Sequence, residues 1–204
     1  MLFRSAITAA LAGVAAAVPS NLEARTNTKD IVAGFDDAPY LPLLPLLSPT
    51  GKYKELDFTG FEITNAGLFG FVLLGVDAQS KPNVIASGLQ AELLTGPATI
   101  KTTGRTKSFD LKKFYWGCVL DTVASAASLA PACTLQVTGY NKNGEGIANQ
   151  QFRFVPESLK TPMDEAVLND DFRGLDRVEF HTENTLLVPL TATLYDDFHY
   201  TVHY

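Results

Sequence analysis

Past its apolar N-terminus the chain shows almost no helical spacing; apolar and polar side chains alternate instead, run after run. A period of two puts every second side chain on one face of a β-strand, so this pattern constrains the fold more than any single motif. In CTLQVTGY, Leu135 and Val137 face one way and Thr134, Gln136 and Thr138 the other. In QQFRFV, Phe152 and Phe154 alternate with Gln151 and Arg153; in DRVEFHT, Val178 and Phe180 alternate with Glu179 and His181. The last strand sets Phe198, Tyr200 and Val202 inward against His199, Thr201 and His203. Strands with one apolar face build antiparallel sheets, one side on a core and the other in water. KNGEG at residues 142–146 supplies a hairpin turn between two of them.

Parity also predicts an irregularity. Phe109 and Leu111 share one face, whereas Phe114, Trp116 and Cys118 have the opposite parity. Both sets are buried only if an extra residue intervenes, so a β-bulge is expected near Lys112-Lys113. Two stretches fall outside the strand pattern. Residues 39–49, PYLPLLPLLSP, are too broken by proline for a central strand and are expected to wrap the surface as a Leu-rich loop. Residues 119–132, rich in Ala and Ser, are expected to form the loop between the two cysteines, with at most one helical turn.

The N-terminus has the form of a secretory signal: Arg4 supplies charge, residues 5–18 are apolar and uncharged, and small residues at Ala15, Ala16 and Ala17 offer a cleavage pattern. The run is shorter than the roughly 20 apolar residues a membrane span requires. Residues 1–20 are therefore assigned to a signal peptide, with cleavage between Ala17 and Ala24, and residues 21–204 to a single β-sandwich domain. The expected product is soluble, secreted and free of the membrane, and no Asn-x-Ser/Thr sequon is present. A net charge of −6 disfavours a phosphate backbone, so nucleic acid is not an expected partner. With 46% hydrophobic residues, 13 of them Phe, the chain has ample material for a core. Its two cysteines, Cys118 and Cys133, are expected to pair in an oxidising compartment, adding roughly 3 kcal/mol by loop closure.

Short strands, regular turns and one disulfide define an all-β fold, a two-sheet antiparallel sandwich. The series GFDD, YKELDFTGFEI, SFDLKKFYWGC, CTLQVTGY, RGLDRVEF and LYDDFHY resembles a group of small secreted fungal proteins. These are similar in turn to jelly-roll, galactose-binding-like sandwiches used as carbohydrate-binding modules. The resemblance implies that acidic residues of the first and last strands hold a structural calcium, here Asp36 or Asp37 with Asp196 or Asp197. Calcium takes six to eight oxygen ligands, which acidic pairs on adjacent strands suit. Asp196 shares parity with Phe198, and Asp37 with Phe35, which would turn one carboxylate per strand inward. The alternative is that both dipeptides cap strand ends in water.

For a sugar ligand the candidates are aromatic: Tyr115, Trp116, Tyr140 and Tyr53, with Tyr40 in addition. Tyr115 and Trp116 point to opposite faces, and Trp116 shares the parity of Cys118, as a core residue would. His199 and His203 lie four residues apart on one strand, about 13 Å, too far to share a metal. Catalytic signatures are absent: no G-x-S-x-G elbow, no H-E-x-x-H and no P-loop. Glu62, Glu179 and Glu183 are the carboxylates from which a glycosidase pair would have to come. The residues favour a secreted, non-catalytic module that binds cell-wall or other polysaccharide, with calcium stiffening its framework. Two other readings stand beside it: an extracellular structural or host-interaction protein docking through the Leu/Pro-rich loop, and a glycan hydrolase or lyase.

Overall fold

The alternating runs form strands. The computed structural model describes residues 27–39, 48–65, 75–88, 96–120, 130–158, 161–184 and 191–204, and among these there are thirteen strands and no helix. The first seven are β1 (Thr28–Ala33), β2 (Ser48–Tyr53), β3 (Leu56–Asn65), β4 (Val76–Asp77), β5 (Asn83–Gly88), β6 (Ala98–Thr102) and β7 (Ser108–Leu120). The remainder are β8 (Cys133–Tyr140), β9 (Gly146–Phe154), β10 (Thr161–Pro162), β11 (Asp164–Val167), β12 (Arg177–Asn184) and β13 (Thr191–His203). Residues 1–26, which carry the expected signal, and most of the Leu-rich loop, with Tyr40, lie outside the described residues. So does most of the connection between the cysteines.

Eleven strands form one antiparallel sheet in the order β11-β7-β13-β5-β3-β6-β12-β8-β9, with β1 added to β13 and β2 to β3. β4 and β10 make a small parallel pair beside it. The sheet folds back on itself because β3 serves both halves: it pairs β6 through residues 56–59 and β5 through residues 62–65. Gly60 sits at the change of partner with φ +77, and its α-carbon passes so close to Ala98 that a Cβ would lie 3.1 Å from the Ala98 Cα. No side chain fits there without strain.

Folding the sheet over turns the two apolar faces on one another. Phe198 of β13 lies 5.9 Å from Phe180 of β12 and 5.8 Å from Phe58 of β3, both ring pairs edge-on. Phe114 and Trp116 of β7 face Phe152 and Phe154 of β9 at 6.1 and 5.9 Å. These offset ring contacts between halves make the core of a sandwich-like domain. The expected disulfide is present, with Cα atoms 6.4 Å apart; it ties β7 in one half to β8 in the other. The open edges are managed by Gln150 of β9. Its amide donates to the Val167 carbonyl on β11 at 3.0 Å and accepts from the Asn169 N–H at 3.0 Å, standing in for a strand partner.

The parity argument holds at Lys112. Along β7 and β13 the paired residues run Asp196 with Tyr115, His199 with Lys113, then Tyr200 with Leu111. β13 carries one extra residue in the first interval and β7 one extra, Lys112, in the second. The two irregularities cancel, so Val202 pairs Phe109 and both apolar series stay inside. The Leu-rich stretch is shorter than expected, since residues 48 and 49 already belong to β2; Pro49 is tolerated because β2 is an edge strand. Similarly, β7 extends beyond Cys118 to Leu120.

The disulfide is expected to matter for stability. Reducing it, or replacing both cysteines by serine, should cost about 3 kcal/mol and lower the melting temperature by about 6–12 °C in a domain of this size. Thermal unfolding with and without reductant checks this; identical melting curves would contradict it.

Candidate binding surfaces

The acidic dipeptides flank a fork in the sheet. β13 keeps β7 on one edge throughout, but on the other edge it pairs β5 through residues 192–195 and β1 through residues 198–203. The first and last strands are thus neighbours. Between the two partners Asp197 takes φ +44, and at the end of β1 Phe35 takes φ +59. Such left-handed backbone in non-glycine residues is uncommon and must be held by its surroundings.

Here the carboxylates do the holding. Asp196 accepts the Ser80 N–H at 2.6 Å, the Ser80 hydroxyl at 3.1 Å and the Asp197 N–H at 2.8 Å. Asp36 accepts the Asn83 N–H at 2.9 Å, and the Asn83 amide donates to the Phe35 carbonyl at 3.1 Å. Where two strands part, backbone donors lose their ladder partners, and these oxygens replace them. Gly34 lies close by, where a Cβ would stand 2.7 Å from the Asp197 carboxylate and displace it.

Three of the four acidic residues therefore gather at the fork, and the fourth turns away. Asp37 is exposed, accepts the Tyr53 hydroxyl and pairs with Lys54 at 3.0 Å; the Tyr53 hydrogen bond, with Lys54, holds its carboxyl below the ordinary value. Asp37, expected inward, turns outward because left-handed Phe35 breaks the alternation, whereas Asp196 is buried, as its parity predicts. Tyr195 beside it points its ring into the core, toward Phe61 and Phe180. Oxygens of Asp36 and Asp196 are engaged by N–H donors, and among the described residues no group of three or more His, Cys, Asp or Glu side chains has metal-holding geometry. The carboxylates bridge backbone at the fork.

The aromatic candidates separate by burial. Trp116 is 1% exposed and has no face for a ligand. Tyr53 stacks on Phe35 at 4.8 Å, and burial, with the Asp37 hydrogen bond, drives its hydroxyl far above the usual range. Tyr115 is half-buried on the outer side of β7, its hydroxyl donating to Glu165 at 3.1 Å beside Lys113. Tyr140 is half-buried on the outer side of β8. Its hydroxyl donates to Glu179 at 2.9 Å and the Arg177 guanidinium covers its ring at 4.2 Å. Arg177 and Glu179 pair at 3.1 Å, so the three side chains hold one another in place.

Tyr140 stands at one end of a broad polar face. Strand register aligns Lys52, Asp57, Lys101, Arg177 and Tyr140 in one row across β2, β3, β6, β12 and β8. The next row is Thr59, Thr99, Glu179, Thr138 and Asn149, reaching β9. Two shorter rows follow: His181, Gln136 and Gln151, then Glu183, Thr134 and Arg153. Five strands at about 4.8 Å spacing make this face about 20 Å wide. Hydroxyls and amides dominate its centre, where the Asn149 amide donates to the Thr138 hydroxyl at 2.9 Å. The histidines form no centre: His199 is half-buried on the opposite half, His203 pairs with Asp110 at 3.0 Å, and His181 lies exposed on the polar face.

The fold and this face define the class: an all-β, sandwich-like domain with one disulfide and a flat polar sheet surface. No protein-family model matches the chain, and no curated protein matches it in sequence. Among solved structures it is similar to a DUF4465 family protein from Bacteroides caccae, with a TM-score of 0.53 and 9% identity, over 84% of this chain and 98% of that one. It also matches part of an agarase, with a TM-score of 0.37 and 8% identity, over 77% of this chain and 24% of that one. The likeness to the DUF4465 family protein is one of fold.

The row alignment was not foreseeable from the chain. Alternation turns Thr134, Gln136 and Thr138 outward and the KNGEG hairpin brings Asn149 beside them, but Glu179 and Thr99 come from strands remote in sequence.

The fork predicts a pH response. Asp196 is fully buried, and burial above all pushes its carboxyl up to about 7, the Asp197 charge adding to this while the Ser80 and Asp197 N–H bonds oppose it. A raised value means that the protonated form favours the fold: its contribution is complete below about pH 4 and is lost as pH rises through the folded value. Replacing Asp196→Asn removes that titration. The melting temperature of the variant relative to wild type should therefore rise between pH 5 and pH 8; a difference that stays flat would contradict the assignment.

Proposed function

We propose that the domain is a secreted binding module that takes up polysaccharide on the outer face of β3, β6, β12, β8 and β9. One observation carries this reading: strand register brings side chains that both donate and accept hydrogen bonds into continuous rows over five strands. A polyol offers hydroxyls that are donors and acceptors in the same way, and an extended chain can cross several strands at once. Thr99, Thr138, Gln136, Asn149 and Gln151 supply the contacts. The mutually fixed Tyr140, Arg177 and Glu179 supply a rigid end that needs little ordering on binding. The disulfide suits an oxidising compartment, in keeping with the N-terminal signal.

Hydrolysis finds less support. Glu179 is engaged by Tyr140 and Arg177, and Glu183 stands four residues further along the same strand, about 13 Å away, beyond the carboxylate spacings glycosidases use. The Leu/Pro-rich stretch that would carry a protein-docking role lies mostly outside the described residues.

Thr138→Ala combined with Asn149→Ala should weaken retention on a bound polysaccharide by about tenfold, as two lost hydrogen bonds would. The melting temperature should change little, since both residues stand on the solvent side. Affinity electrophoresis against a polymer panel reads the first effect and thermal unfolding the second. Undiminished retention in the double variant would move the ligand off this face.

A further inference from the structure

Charge on the polar face is unlike charge on the rest of the chain, which carries −6 overall. In its first row Lys52 and Lys101 flank a single carboxylate, Asp57, and Lys101 reaches it only at 3.9 Å. Lys52 makes no ion pair among the described residues. Arg177, in the same row, is already engaged by Glu179. Glu179 and Glu183 stand in later rows of the same face, Glu179 paired with Arg177, and a further group of carboxylates, Asp36, Asp196 and Asp197, gathers at the fork. The first row alone carries an excess of cations, Lys52, Lys101 and Arg177 against the one carboxylate of Asp57.

An excess of this kind has a consequence for ligands. An exposed lysine in a sea of carboxylates is locally neutralised, whereas cations that outnumber the carboxylates of their row project a field that raises the local concentration of anions. Ammonium groups on flexible stems suit anions whose positions vary along a chain, in contrast to a fixed bidentate site.

We infer that the polysaccharide taken up by this face is acidic, its carboxylate or sulfate groups meeting Lys52 and Lys101 at the edge of the hydroxyl and amide rows. This rests on the polysaccharide-binding reading above and specifies its ligand. The contacts are exposed ion pairs, so they confer selectivity and salt dependence more than raw affinity.

The test uses the full chain in affinity electrophoresis and calorimetry against polygalacturonate, heparin, a neutral β-glucan and single-stranded DNA, at low and at near-physiological salt. One or both acidic glycans should bind at least tenfold more tightly than the neutral glucan at low salt, and the advantage should fall severalfold as salt rises. Polygalacturonate against heparin then distinguishes carboxylate from sulfate. The double charge reversal Lys52→Glu with Lys101→Glu should abolish the preference and leave the melting temperature unchanged. Equal or tighter binding of neutral glucan, insensitive to salt, would overturn this inference and leave the binding-module reading standing. So would a preference surviving charge reversal. DNA bound as tightly as the acidic glycans would show a response to charge alone and overturn it. Binding to no glycan would remove both.

Discussion

The structure depends on one strand exchanging partners along its own edge. β13 runs for 13 residues beside β7, and on its other side first β5 and then β1 complete the ladder. A strand that changes partner leaves donors and acceptors unpaired at the change, and in a buried sheet that costs about as much as lost hydrogen bonds. Asp196 and Asp36 meet this need with carboxylate oxygens; Ser80, in the loop ahead of β5, and Asn83, its first residue, close the gap. The opposed bulges at Lys112 and in β13 belong to the same device. They let β13 bend through the fork and then restore register, so that Tyr195 before it and Phe198 after it both reach the core.

Alternation correctly places Phe198, Tyr200 and Val202 inside and places the irregularity of β7 at Lys112. The terminal strands are neighbours, as the acidic pairs suggest. Alternation fails after Phe35, where a positive φ turns Asp37 off the expected face. Nothing in GFDD or LYDDF announces left-handed backbone, because glycine or asparagine would be its usual sign. The turn from β2 to β3 was silent for the same reason. Lys54 and Glu55 take φ values of 45° and 73°, and their carbonyls are held from afar by the Tyr200 hydroxyl at 2.6 Å and the Thr106 hydroxyl at 3.1 Å. The polar face was legible one strand at a time but not as a surface. Its neighbours come from pairings such as β6 with β12, which no local pattern encodes.

Framework and surface are accordingly built from different chemistry. At the fork Asp196 and Asn83 are buried and tied to backbone, which suits rigidity. Across β6, β12, β8 and β9 the outward side chains are short, uncharged or mutually neutralised, and open to water. Only Lys52 and its neighbours at the rim break that neutrality. The sandwich keeps the two apart because its core, packed with facing phenylalanines, separates the halves. A change at one surface then has no short route to the other.

The central claim is that ligand lies on the face opposite the fork-bearing half. Backbone amide shifts of isotopically labelled protein, followed during titration with oligogalacturonate and in parallel with a neutral cello-oligosaccharide, address it directly. The account predicts perturbations concentrated at Thr99, Thr138, Asn149 and Glu179. Perturbations confined to Lys113, Tyr115 and His199 on the other half, or a spectrum unchanged by both sugars, would contradict it.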